Sequence, residues 1–288
     1  MLKYSEIRPG GIAADQPLNE LVKELKRSVV RMTEVAGGGY ISQGLCSAEV
    51  IATLFYRLLR LDPQHPEWVN RDRFLLSVGH YAIGVYAAMG RLGYFDKAML
   101  DTYSADGSEI EMIGSEITPG FEITGGSLGQ GLSQGVGLAI GAKLRKHSWR
   151  TFVYMSDGEL EEGQIWEAAM VAKHYKLDNL LLIVDVNGIQ ADGYIGDVTG
   201  VLPIAEKWEA FGWNVFNING NDLDTVEQTV AKCFQPNGNP TIIIANTIMG
   251  NGVSLLHGRL DVHYVKWNAE LSKQALLEID SGGVSKHD

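Results

Sequence analysis

Two side chains able to share a cation stand thirty residues apart in this sequence. Asp157 falls in "MSDGELEEG" and Asn187 in "VDVNGIQADG". Taken singly, Asp-Gly and Asn-Gly are turn dipeptides. Their joint placement says more. Each ends a buried apolar run, "TFVYM" at 151–155 and "NLLLIVDV" at 179–186, with one crossover helix of about Gln164 to Tyr175 between them. In a parallel sheet such positions lie past the carboxyl ends of the strands, where ligands bind. One carboxylate, one amide oxygen and a nearby main-chain carbonyl, that of Ile189, form a sparse oxygen set. That set suits Mg²⁺, which completes its shell with phosphate and water. Gly158 and Glu159 open the following helix, so their N–H groups are placed to receive a phosphate oxygen at the positive end of the dipole. Glu161 reads as a solvated residue. The predicted chemistry is a metal–diphosphate cradle.

The elements that must carry this cradle follow from periodicity. Leu21, Val22, Leu25, Val29 and Met32 recur at helical spacing, which predicts a helix over about Leu18–Ala36, ended by "GGG" at 37–39. A second helix is expected over Cys46–Leu59, a short strand over 73–80, and a helix from near Ile83. Residues 101–124 show no period, and a loop of that length in a compact domain is usually functional or poorly ordered. Residues 125–144 read as a glycine-dense helix whose Gly131, Gly135 and Gly137 admit close packing. Further helices at 202–211 and 222–234 alternate with strands "NVFNI" and "TIIIAN". The alternation defines the fold class as α/β, a parallel sheet covered by helices on both faces. With no linker or repeat, the expectation is a single domain over 1–288, with an N-terminal helical extension and a C-terminal tail.

Composition narrows the function classes. The chain has 288 residues, 45% hydrophobic and 20% charged, enough for one large core. A net charge of −11 argues against nucleic acid as a generic partner. Apolar runs such as "LLLIV" have strand length, not membrane-spanning length. The opening "MLKYSEIRPGGIAADQP" lacks the apolar core of a secretion signal, and Cys46 and Cys233 sit in apolar periodic segments as core thiols. A cytoplasmic protein is expected.

The stretch "SDGELEEGQIWEAAMVAKHYKLDNLLLIVDVNGIQADG" resembles the thiamine-diphosphate motif, in the form found in transketolases. The resemblance runs on through "TPGFEITGGSLGQGLSQGVGLAIGAKL", "DRFLLSVGH", "EKWEAFGW" and "NTIMGNGVS", over roughly residues 25 to 265. Ser156 stands for the motif's first glycine and Val186 precedes the asparagine; neither position supplies a metal ligand. The resemblance implies thiamine diphosphate and Mg²⁺, or another divalent cation, as cofactors, with Asp157, Asn187 and the Ile189 carbonyl on the metal. Gly126 and Leu128 would border the cofactor rings, Gly158 and Glu159 its diphosphate, and His80 and His263 the diphosphate or substrate. His65, His147, His174, His257 and His287 are expected to be surface or structural. By length, the chain resembles the N-terminal, diphosphate-binding subunit of a split transketolase, completed by a second subunit with the pyrimidine-binding and C-terminal domains. That implies a heterotetramer inactive without its partner, and Glu162 and Glu167 match positions facing another subunit.

Two family histidines are missing. Tyr40, in "GGGYISQGLCSAEV", replaces one that touches the sugar, and Met112 replaces another. An imidazole accepts, donates and titrates near neutrality; a phenol or thioether does not do all three. The implied activity is transfer of a two-carbon ketol unit from a ketose or ketose phosphate to an aldehyde, with His80, His263 and Tyr40 at the substrate. One alternative is a decarboxylating carboligase using a 2-oxo acid, since "GGYISQGLCSAE" also resembles deoxyxylulose-phosphate synthases and dehydrogenase E1 proteins. Another is a non-catalytic regulatory or scaffolding subunit. A dinucleotide site fits poorly, because "LGQGLSQGVG" spaces its glycines wrongly and follows no buried strand.

Overall fold

The computed structural model describes residues 16–234 and 237–282; the opening fifteen residues and His287 lie outside the described residues. Helix α1 (Leu18–Ala36) buries the predicted stripe and stops at Gly37, whose φ of 72° suits glycine. Strand β1 (Gly38–Gly39) leads into α2 (Ile41–Cys46) and α3 (Ala48–Thr53), which runs on through a π-turn at Leu54–Leu58. The helix expected over Cys46–Leu59 therefore begins earlier and is broken. At the break, Ser47 Oγ donates to the Gln43 carbonyl at 2.7 Å, and the main-chain N–H reaches the same carbonyl at only 3.3 Å.

Strand β2 (Arg73–Leu76) is shorter than the expected 73–80, because a 3₁₀ turn over Gly79–Tyr81 follows, ahead of α4 (Ala82–Leu92). The aperiodic segment after it is pinned by buried Tyr103, Ile110 and Thr118. Helix α5 (Gln130–Arg145) starts five residues later than expected, since Gly126 and Gly129 hold φ of 107° and 82°. A Cβ on Gly131 would lie 2.5 Å from Ser77 Cβ, and one on Gly135 would lie 2.4 Å from Val153 Cγ2. Gly137 faces open space, so its expected packing role does not hold.

Strands β3 (Thr151–Ser156) and β4 (Leu180–Val186) flank α6 (Gly163–His174) as the spacing predicts. A small hairpin of β5 (Ile189–Gln190) and β6 (Gly193–Tyr194) comes next, then α7 (Ile195–Val198) and α8 (Ile204–Ala210). Strand β7 (Asn214–Asn219), α9 (Leu223–Val230) and β8 (Thr241–Asn246) complete the alternation. The segment expected as a C-terminal tail instead carries β9 (Val265–Lys266) and α10 (Ala269–Asp280), capped by Asn268 and packed along α1.

The main sheet is parallel throughout, in the order β2-β3-β4-β8-β7. Alternate residues feed two cores, as strand geometry requires. Phe152, Tyr154, Leu181 and Ile183 pack under α1–α4, α9 and α10. Val153, Met155, Leu182 and Val184 pack under α5, α6 and α8. The β3–β4 register pairs Ser156 with Asp185, and Asp157 N donates to the Asp185 carbonyl at 3.0 Å. That register aligns the two strand ends that carry the candidate ligands.

Candidate functional site

A cleft opens beyond the carboxyl ends of β2, β3 and β4, lined among others by His80, Leu128, Asp157, Gly158, Asn187, Ile189 and His263. Asp157 is 1% exposed. Its Oδ1 accepts from Gly158 N at 2.9 Å and its Oδ2 from Gly188 N at 2.7 Å. One carboxylate thus ties together the turns that follow β3 and β4. Burial, with the nearby Asp185 charge adding to it, pushes the Asp157 carboxyl up to about 7 against the pull of those N–H bonds. Asn187 Oδ1 accepts from Ile189 N at 3.0 Å. The sequence-predicted trio therefore converges on one wall of the cleft.

Beneath this wall lies a group that sequence reasoning missed. Asp185, fully buried, accepts from Thr247 Oγ1 (2.7 Å), Tyr154 Oη (3.0 Å) and Tyr81 Oη (3.2 Å), with Cys46 Sγ 3.8 Å away. Burial pushes its carboxyl upward, opposed by these hydrogen bonds. A charged residue inside "LLLIVDV" was the available signal, since a buried aspartate needs built partners.

Glu159 departs from expectation. The turn that follows Asp157 is a 3₁₀ turn over Gly158–Glu161, and α6 begins only at Gly163, so neither Gly158 nor Glu159 heads that helix. The Glu159 side chain is fully buried. Its Oε1 accepts from Ser77 Oγ and, at 2.7 Å, from Gly129 N. Burial pushes its carboxyl up to about 7. It clamps the loop around Leu128 and Gly129 to the turn that follows β3 and does not line the cleft. Glu161, expected to be solvated, accepts from Gln190 Nε2 at 2.7 Å. Glu162 and Glu167 are exposed, as a surface role requires.

The outer rim is aromatic. The Tyr40 ring meets His80 edge-on at 4.8 Å, His263 at 5.7 Å and Tyr264 at 5.5 Å. Burial, reinforced by His263, pulls His80 down to about 4, and burial also lowers His263, so both rings are neutral near pH 7. Burial raises the Tyr40 phenol, followed by the Tyr264 contribution. Gln43, 1% exposed and also missed, donates to the His263 carbonyl at 2.8 Å and lies 3.4 Å from its Nδ1. Gly126 packs against Gly79 beside His80 and does not line the cleft. The Met112 methyl would lie 4.0 Å from a Cβ on Gly39, the residue before Tyr40. Of the other histidines, His65 pairs with Asp62 on the surface, and His257 keeps a buried Nδ1 with no partner among the described residues.

The inner wall fits a hydrated divalent cation. Asp157 and Asp185 are both buried, and neither forms an ion pair among the described residues. The oxygen set is one carboxylate, one amide and one carbonyl, which leaves coordination positions for phosphate and water. A Cβ on Gly158 would meet nothing closer than Gln190 Cβ at 3.6 Å, so main chain and ligand can approach there.

A parallel α/β domain with this acid–amide pair at its strand ends defines a diphosphate-binding domain. The family model "Transketolase, thiamine diphosphate binding domain" matches residues 18–276, and the chain belongs to that family of thiamine-diphosphate-dependent transferases. It is 46% identical to a putative uncharacterized transketolase family protein of Sinorhizobium fredii, covering 92% of this chain and 96% of that one. It is 38% identical to a 6-deoxy-6-sulfo-D-fructose transketolase subunit of a Clostridium species (86% and 90% covered). It is 37% identical to an apulose-4-phosphate transketolase subunit of Actinobacillus succinogenes (95% and 99%). The transketolase structure from Campylobacter jejuni superposes with a TM-score of 0.86 at 29% identity, covering 91% of this chain but 42% of that one.

Proposed function

We propose that this chain is the N-terminal subunit of a split, two-chain transketolase. It transfers a two-carbon ketol unit from a ketose or ketose phosphate to an aldehyde, using thiamine diphosphate and Mg²⁺. A second subunit with the pyrimidine-binding and C-terminal domains completes the active site, in a cytoplasmic heterotetramer. The observation that carries this reading is the convergence of Asp157, Asn187 and Ile189 on one cleft wall, in a chain that spans nearly the whole length of relatives named as transketolase subunits. Thiamine diphosphate supplies, when bound, the carbon nucleophile for carbon–carbon cleavage and formation.

The chain's own residues do the rest. Asp157, Asn187 and the Ile189 carbonyl hold the cation, and the exposed side of Gly158 admits diphosphate. Leu128 excludes water beside the rings. Neutral His80 and His263 each offer one donor and one acceptor to diphosphate or substrate, and Tyr40 holds both rings in place. The test is co-purification with the product of the adjacent reading frame, followed by a donor and acceptor screen. Ketose-dependent, Mg²⁺-dependent aldehyde formation by the pair and by neither chain alone is expected. An active single chain, or a pair inert with every ketose, would overturn the reading.

One observation favours a second donor class. Tyr40 occupies the rim position that the resemblance gives to a sugar-contacting histidine, and a phenol does not titrate near neutrality as an imidazole does, which favours a 2-oxo acid over a polyhydroxylated ketose. Release of CO₂ from pyruvate by the two-chain complex would decide for it.

A further inference from the structure

Asn187 can present either its oxygen or its nitrogen to a cation, and only the oxygen binds one. Its Nδ2 lies 2.9 Å from Tyr81 Oη and 3.2 Å from Asp185 Oδ1. An amide nitrogen donates and never accepts. Both hydrogens therefore point inward, one to the phenol oxygen and one to the carboxylate. Tyr81 Oη accepts the first, which leaves its own hydrogen for Asp185 Oδ1 at 3.2 Å. Thr247 and Tyr154 direct their hydrogens to the same carboxylate. A flipped amide would oppose its oxygen to a carboxylate oxygen and turn its NH₂ against Ile189 N, which is itself a donor. The orientation of Asn187 is thus set by Asp185, a fully buried residue at the end of β4 that does not line the cleft.

We propose that Asp185 is the positioning residue of the metal site. It fixes the Asn187 amide directly and through Tyr81, so that one lone pair of Oδ1 faces Ile189 N–H and the other faces the cation. Metal-site geometry depends on such outer partners as well as on the ligands themselves. The inference rests on the cofactor reading above.

The experiment uses the purified two-chain complex saturated with thiamine diphosphate, with Mn²⁺ as probe and free Mn²⁺ followed by electron paramagnetic resonance. Asp185→Ala is expected to weaken Mn²⁺ binding by about 10- to 100-fold. Tyr81→Phe, which removes one of the two inward acceptors, is expected to weaken it by roughly three- to tenfold. Asp185→Asn keeps an acceptor in the same place and is expected to stay within about threefold of wild type. A residue that served only folding would shift the melting temperature and leave the folded fraction's Mn²⁺ affinity untouched. That result would overturn the proposal, as would a loss in Asp185→Asn as large as in Asp185→Ala. If Asp185→Ala does not fold, an unchanged affinity in Tyr81→Phe overturns it alone. Absence of Mn²⁺ binding in the wild-type complex would refute the cofactor reading, and this inference with it.

Discussion

The inner wall and the outer rim of the same cleft are built on different terms. At the inner wall, Asp157, Asp185 and Asn187 sit on consecutive strand ends, and their hydrogen bonds span 2.7 to 3.2 Å with named partners on each. At the rim, Tyr40, His80 and the adjacent pair His263–Tyr264 come from three separate segments and meet through ring edges. Such edge contacts are worth about 0.5–1.5 kcal/mol each. The wall is therefore rigid and chemically specific, while the rim tolerates replacement. A family that keeps one cofactor and changes its substrates would divide its site along this line.

The sharpest way to break that contrast is at the wall. Asp157→Ala should abolish Mg²⁺-dependent cofactor binding and lower activity of the reconstituted complex by roughly a thousandfold or more, because a bound metal contributes several kcal/mol. Full activity in that variant would remove the metal assignment. His80→Ala, at the junction of wall and rim, should lose about 10- to 100-fold in kcat/KM. Because burial holds the ring neutral down to about pH 4, the loss should be uniform from pH 6 to 8. A limb of the profile that disappeared with His80 would show that the ring titrates there after all. Tyr40→Ala should cost about tenfold, from two or three lost ring contacts, and appear in KM for the substrate without changing Mn²⁺ affinity. A parallel fall in Mn²⁺ affinity would mean that rim and wall are one unit.

The smallest effect is on stability. Folding raises the Glu159 carboxyl from 4.5 to about 7, so between those values the native state holds a proton that the unfolded chain has lost. Stability from this group is present below about pH 4.5 and lost as pH climbs through about 7. Glu159→Gln keeps an oxygen for Ser77 and Gly129 without the ionisation. It should melt a few degrees above wild type at pH 8 and show less pH dependence across that window. Thermal melts of both proteins at pH 5 and 8 are the check, and parallel curves would contradict the assigned burial cost.

How much of this is legible beforehand depends on the range of the interaction. "TIIIAN" is a strand over 241–246, as its β-branched run predicts, and the alternation of elements implies the parallel sheet that forms. Asp157 and Asn187 are legible because a crossover helix imposes their spacing. Asp185 reads only as part of a strand, for its partners Tyr81, Tyr154 and Thr247 are scattered along the chain and no local pattern joins them. Glu159 looks like a helix-start residue for the same reason: what buries it is Ser77 and Gly129. Helix starts fail where glycines with positive φ, such as Gly126 and Gly129, sit inside an apparently periodic stretch.

The short pairing of β1 with β9 sets Gly38 against Lys266 and Gly39 against Val265. It fastens the residue before Tyr40 to the residues just after His263 and Tyr264, and a Cβ on Gly38 would stand 2.7 Å from the Val265 carbonyl oxygen. During synthesis, the two halves of this clasp leave the ribosome more than two hundred residues apart. At about 5–20 residues per second, that is an interval on the order of ten to forty seconds. The Asp157 carboxylate, by contrast, has both of its main-chain anchors once Gly188 has emerged. The anchors of Asp157 are thus all synthesised well before the second strand of the clasp that fastens the rim.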